Sequence, residues 1–469
     1  MNGALPFPAF LAPAVCSLVL LGSSYLPSVY GQSLPNIQQL FGFACDPNTK
    51  VCPNGKNPGT LIQSANGNFY GTTPAGGTGN SVGGTIFTIS SDGQFVVIHT
   101  FVPDQSGKFL NGNGPTSLVE GNDGFLYGTA GGGPYGNGNG VAFKLSKAGA
   151  FQVLHDFCSP TDCSDGPNPF NLALGNDGNF YGASLGVLWR MNPTGSITAL
   201  HTFDPNGEGP TAWGMILASD GNLYGTTLGA QTFASTLWRL TPGGQFTIVH
   251  KWRYPTFDSG APVQGSDGRL YGTRNGSWIF RVGLDGTGYS EFQLPGPLKF
   301  SQPLLQAGPN LWEPWADSSL PNEGIRQISN AGNLLQTIPF DGTNGIGPLQ
   351  TLLQESDGKM LGTTHSGGSV PKGDEASGVV FTLDAGLAAP KPTFVNFNPS
   401  LGRVGSQVMI HGRNFVGTTG IKFNGVGATF QLLNTSNILA TVPPGASTGS
   451  IAVTNLGGTA ISKTKFSVQ

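Results

Sequence analysis

Four histidines recur in matching surroundings. His99, His155, His201 and His250 are each followed two residues later by a large aromatic, Phe101, Phe157, Phe203 or Trp252. Imidazole titrates near neutral pH and is the commonest metal ligand, so the pattern invites a metal centre or an acid–base group. The copies lie about 46 to 56 residues apart, each in its own repeat of the chain. Four equivalent positions on four separate sheets do not converge on one ion, so a packing or hydrogen-bonding role is expected. The carboxylates of Asp123, Asp177, Asp220, Asp267 and Asp357 each precede glycine, where Asp acts as a turn former. Gly79–Gly83 fits G-x-S-x-G and Gly131–Gly136 fits G-x-G-x-x-G. Both signatures require a helix after the turn, and glycine-rich loop follows instead. No catalytic residue, cofactor or metal is assigned.

The repeat itself is clearest at Asn176-Asp-Gly-Asn-Phe-Tyr-Gly-Ala-Ser184. Its aromatic returns at Tyr70, Tyr127, Tyr181, Tyr224 and Tyr271, with Trp312 and Leu361 as stand-ins, at spacings of about 41 to 57 residues. Each repeat has four parts. A short apolar segment such as Thr60–Gln63 leads into an Asn-Gly or Asp-Gly turn and the Phe-Tyr-Gly-Thr segment. An alternating segment such as Gly84–Ile89 or Val187–Met191 follows, then a second turn and a segment such as Phe95–Phe101 or Phe246–Trp252. Alternation is the strand period, and Asn-Gly and Asp-Gly tolerate the positive φ of a tight hairpin. Four antiparallel strands per repeat make a propeller blade.

Counting strands tests closure. The seventh repeat has Leu349–Gln354, Lys359–Thr364 and Gly378–Leu383 but no fourth segment, while Ile37–Phe43 is a fourth-strand pattern without a repeat. The expected fold is therefore all-β: a seven-bladed β-propeller over residues 33–389, closed by the N-terminal strand, then a small immunoglobulin-like β-sandwich over residues 391–469. Such a ring leaves no open sheet edge.

Composition agrees. Glycine is 74 of 469 residues and only 10% are charged, a turn-rich β chain. Net charge is −3, which implies no polyanionic partner, and no nucleic acid is expected. The last 79 residues carry six basic residues (Lys391, Arg403, Arg413, Lys422, Lys463, Lys465) and no acid, which leaves −9 on the rest and marks a boundary near residue 390. Residues 1–31 carry no charge, Phe10–Gly22 is largely apolar, and Val29-Tyr30-Gly31 ends in a small residue, as a cleavage site would. They read as a signal peptide, too short and too proline-broken for a membrane span. Beyond Cys16, the even set Cys45, Cys52, Cys158 and Cys163 then reads as two disulfides, Cys45–Cys52 and Cys158–Cys163; a zinc site built from all four is the alternative.

Two resemblances follow. Residues 392–469 resemble an IPT/TIG immunoglobulin-like domain through Pro399, Gly402 and Gly405, Ile410-His-Gly-Arg-Asn-Phe415, Val442-Pro443 and Thr448-Gly-Ser-Ile-Ala-Val453. Residues 58–383 resemble the GloVer tandem repeat through Asp-Gly-Asn-Phe-Tyr-Gly-Thr-Thr, the Gly-Gly loop and Leu-His-x-Phe; the fifth and sixth copies depart, since Ser290–Leu294 and Gln336–Phe340 lack the histidine. The resemblances imply an exported bacterial surface protein and carry no activity.

Connections one-to-two and three-to-four are short, whereas two-to-three and four-to-one are long and leave the ring on one face. Loops on a rigid scaffold carry function. A glycan or another protein is expected to bind there, over Trp213, Trp312 and Trp315, with Arg274 and His365 as polar contacts and Tyr135, Trp252 and Tyr254 nearby. The tight-turn face, Asp123 included, is expected to take no part. The reading is a secreted or cell-surface, non-catalytic binding protein, monomeric and without an integral membrane segment. An extracellular propeller enzyme, a lyase or hydrolase of polysaccharides or small molecules, is the alternative, and a structural surface protein the second.

Overall fold

The structure, a computed structural model, describes residues 35–79, 82–132, 139–159, 161–228, 235–252, 260–274, 278–295, 303–315, 323–348 and 352–469. The signal-peptide reading, Ser81 of the G-x-S-x-G match, Tyr135 and Tyr254 lie outside the described residues. Every regular element among those described is a β-strand.

The repeats form seven four-stranded antiparallel sheets. The first comprises Leu61–Gln63, Phe69–Thr73, Thr85–Ile89 and Phe95–Thr100, and sheets two to six repeat that up-and-down order along the chain. The seventh takes Leu353–Gln354, Met360–Thr363 and Glu375–Asp384 from the end of the array and Asn36–Cys45 from its start. Ile37 faces Leu383 and Gln39 faces Phe381 in that last pairing. The unpaired N-terminal strand and the vacancy in the seventh repeat thus meet.

Why these residues form these turns is visible at Gly175–Asn179. Gly178 has φ +78°, while Asn176 and Asp177 keep ordinary negative φ. The Asp177 carboxylate accepts the Asn179 N–H at 3.1 Å. The turn is therefore a three-residue loop with glycine alone in the left-handed region. Asx bonding to the backbone replaces the positive φ at Asp that a two-residue hairpin would need.

Buried apolar clusters lie between sheets rather than within them. Tyr70, Ile86 and Phe101 of the first sheet pack with Leu126, Phe143 and Leu145 of the second. The pattern continues from sheet to sheet. The last of these clusters joins Phe43, Leu361 and Val380 of the seventh sheet to Leu61, Phe69 and Phe87 of the first.

After residue 390 come two further four-stranded sheets. One contains Thr393–Asn398, Gln407–Arg413, Asn437–Thr441 and Phe430–Asn434; the other contains Val426–Ala428, Gly420–Phe423, Ile451–Asn455 and Gly458–Ile461. They enclose their own core, including Val408, Ile410, Phe415, Phe423, Ile438 and Phe466. No described helix is long and apolar enough to cross a membrane.

Candidate functional site

Each repeat residue has an inter-sheet task. The Tyr181 hydroxyl donates to the turn carboxylate of Asp177 at 2.9 Å and reaches the Pro242 carbonyl of the next sheet at 3.3 Å. Tyr127, Tyr224 and Tyr271 do the same with Asp123, Asp220 and Asp267. Burial, reinforced by the carboxylate, pushes the Tyr127 and Tyr271 phenols up to about 12. The glycine after each tyrosine, and after Leu361 in the seventh sheet, faces an aromatic across the ladder: Gly71–Phe87, Gly128–Phe143, Gly182–Trp189, Gly225–Trp238, Gly272–Phe280 and Gly362–Phe381. A Cβ at Gly182 would stand 2.2 Å from the Trp189 ring, so only glycine fits.

The histidines belong to the same device. His99 stacks on Phe151 of the next sheet with ring centroids 4.2 Å apart, His201 on Phe246 at 3.7 Å and His250 on Tyr289 at 3.7 Å. Phe41 occupies this position in the N-terminal strand and stacks on Phe95 at 3.8 Å. A phenyl and an imidazole are interchangeable there, which is what a packing role requires. His155 and His201 also bond to Asp165 and Glu208 of the following loops, both at 2.7 Å.

One sheet breaks the rule. In the sixth, the glycine position is Glu313 and the aromatic position is Arg326, directly opposite one another. Glu313 is 2% and Arg326 4% exposed, with Arg326 Nη1 3.8 Å from the carboxylate. Burial pushes the Glu313 carboxyl up to about 7, and the guanidinium pulls it back only in part. Arg326 also donates to the Pro295 carbonyl at 3.0 Å and lies 4.1 Å over the Trp315 ring. Sequence reasoning missed this pair. Aligning the degenerate copy Gly308–Glu313 position by position against the Tyr-Gly repeats would have exposed it.

The expected aromatic face is corrected by burial. Trp312 is fully buried and donates to the Ala307 carbonyl at 3.2 Å. It fills the slot of Tyr70 and Tyr127, as the repeat alignment requires. Trp252 is 3% exposed and donates to the Tyr289 hydroxyl at 2.5 Å. Trp315 is 9% exposed beneath Arg326. Arg274 is held by Glu291 at 2.5 Å. Trp312 and Trp252 pack in the clusters between sheets, and Trp315 and Arg274 are engaged by Arg326 and Glu291 of their own sheets. His365 is exposed on the long-loop side and bonds to Asn57 at 3.0 Å. Trp213 stands at the register break between Ala212 and Gly214 in the first strand of the fourth sheet. The cysteines pair as expected, Cys45 with Cys52 and Cys158 with Cys163, so the zinc alternative has no thiolates to use.

The tight-turn end carries more than its turns. The C-terminal sandwich lies across it. Asn434 and Asn437 both donate to the Asn122 side-chain oxygen, at 2.9 and 2.8 Å. Arg413 Nη2 donates to the Leu217 carbonyl at 2.5 Å and to Gln264 Oε1 at 3.3 Å. Between the two parts lie cavities of about 180 and about 290 Å³.

Residues 57–284 match the Gloeobacter/Verrucomicrobia repeat, and residues 392–468 match the IPT/TIG domain. The first part of the repeat array is thus similar to that repeat, and the C-terminal sandwich is similar to the IPT/TIG domain. No curated protein matches it. Among solved structures it is similar to the extracellular domain assigned to a hybrid two component system from B. thetaiotaomicron, at 11% identity and a TM-score of 0.50, covering 92% of this chain and 59% of that one. A second such extracellular domain from the same organism has 11% identity, a TM-score of 0.49 and coverage of 88% and 52%. The WD40 β-propeller domain of Doa1 has 11% identity, a TM-score of 0.45 and coverage of 74% and 97%. The chain therefore spans 59% of the length of the first of these relatives, and at such identities the likeness is one of fold.

Proposed function

We propose that this is an exported, non-catalytic binding protein: a closed seven-bladed propeller, completed by its N-terminal strand, that presents a glycan- or protein-binding surface on its long-loop end. The observation that carries this reading is the position of the C-terminal sandwich. It occupies the tight-turn end through Asn122, Leu217 and Gln264, leaving the long loops as the open end of the scaffold. The apolar cluster between the seventh and first sheets supports closure. The two disulfides support an oxidising compartment. Polar groups on that end, among them the exposed His365 and its half-buried partner Asn57, are its candidate contacts, in place of the buried tryptophans.

A glycan array probed with the exported protein, followed by titration of any hit, tests this. Binding is expected to weaken about tenfold, roughly 1.4 kcal/mol, in His365→Ala, with the melting temperature unchanged. Binding that survives every substitution on the long-loop end but disappears on altering the tight-turn end refutes the assignment.

A further inference from the structure

Arg413 is a charge without a counter-charge. It lies at the end of the strand Gln407–Arg413, partly buried between the sandwich and the tight-turn end of the array. Its two hydrogen-bond acceptors there, the Leu217 carbonyl and the Gln264 amide oxygen, are neutral. Among the described residues no carboxylate pairs with it, and its guanidinium makes no other hydrogen bond. Removing a cation from water without an anion costs several kcal/mol, and the Leu217 and Gln264 bonds recover part of that.

The space beside it is shaped for a ligand. The cavities of about 180 and about 290 Å³ share Arg413, Thr435 and Ser436 in their walls. The Thr435 and Ser436 hydroxyls make no hydrogen bond to a described residue, so both remain as donors. One carboxylate, Glu120, also lines the smaller cavity. Its oxygens are already taken by Ser64, the Ala65 N–H and Lys147, and Lys147 cancels its charge. Arg413 therefore sets the sign of the field.

We propose that this cleft binds a small oxyanion, a carboxylate or phosphate group on a molecule of about one sugar ring, with Arg413 as its primary ligand and the Thr435 and Ser436 hydroxyls as supporting donors. A guanidinium presents a planar fork that matches either group. A cavity of about 150 Å³ accommodates a benzene ring, which sets the size. The site is separate from the long-loop end and does not depend on what binds there.

Thermal melting of the exported protein in sodium glucuronate, inorganic phosphate and glucose, at constant ionic strength set with sodium chloride, tests it. Glucuronate or phosphate should raise the melting temperature saturably, because a ligand that binds only the native state stabilises it by mass action; glucose should not. Equal midpoints for the two anions place recognition on the oxyanion alone, and a lower midpoint for glucuronate adds the ring; both outcomes support the site. Arg413→Gln should abolish the shift, and Arg413→Lys should raise the midpoint at least tenfold. Should Arg413→Gln not fold, Ser436→Phe fills the space while keeping the guanidinium and should also abolish the shift. No saturable shift with either anion, or an undiminished shift in Ser436→Phe, overturns the proposal.

Discussion

A single exchanged pair of residues shows what each repeat position is for. Glycine and an aromatic face one another in six sheets because the ring needs the space that a Cβ would take, and stacked aromatics contribute about 0.5–1.5 kcal/mol per pair beyond burial. Glu313 and Arg326 replace that contact with a buried ion pair, whose desolvation offsets much of its attraction. The consequence is a pH dependence of definite sign. The Glu313 carboxyl titrates at about 7 in the folded protein against its ordinary 4.5, so the folded state holds the proton more tightly. Its contribution is favourable at low pH and is lost as pH rises from about 4.5 through 7. Glu313→Gly with Arg326→Phe, restoring the pair of the other sheets, should remove that loss. The double variant should melt higher than the parent at pH 8, by an amount worth about 1–4 kcal/mol, with a smaller difference at pH 5. Melting curves at the two pH values decide it; an equal gain at both means that Glu313 does not titrate in this range.

Strands acquire their stability from neighbours in other sheets. Asn36–Cys45 illustrates this, since its inward residues serve two sheets at once. Phe43 is fully buried and packs edge-on against Phe87 of the first sheet at 5.5 Å, while Phe41 stacks on Phe95. Phe43→Ala is expected to cost about 3–5 kcal/mol, the price of a core aromatic rather than of a fraying terminus. Denaturant unfolding measures it. A loss under about 1 kcal/mol would mean that the N-terminal strand is dispensable to the repeat array.

At the level of the whole molecule, the C-terminal sandwich is a cap fitted across one end of the array. Arg413 reaches the array through the Leu217 carbonyl and the Gln264 amide oxygen. Asn122 accepts from two side-chain amides of the sandwich. Asn122→Ala leaves both of them, on Asn434 and Asn437, without that acceptor, at about 1–3 kcal/mol for each buried donor. The cap should then detach more readily, and limited proteolysis around Ala389–Lys391 should accelerate, while the repeat array keeps its melting temperature. Unchanged cleavage would show that Arg413 and the surrounding contacts hold the cap without Asn122.

Sequence alone carried the repeats, the four strands in each, the partner of the stray N-terminal strand, both disulfides and the separate C-terminal sandwich. These are local or periodic properties. A turn needs its glycine, a strand its alternation, and a missing strand leaves a countable gap. What it could not carry was which aromatics are free. Trp252, Trp312 and Trp315 look like ligand contacts because large aromatics often are, but the same apolar area serves equally well as a wedge between sheets, and only the packing of adjacent sheets distinguishes the two. The cap was equally hidden. Nothing in Arg413 or Asn122 announces a contact with Leu217 or Asn434, because the two ends of such a bond lie about 196 and 312 residues apart and share no pattern. Periodicity determines how each sheet is built; the docking of one folded surface on another depends on shape and charge that exist only once both surfaces have formed.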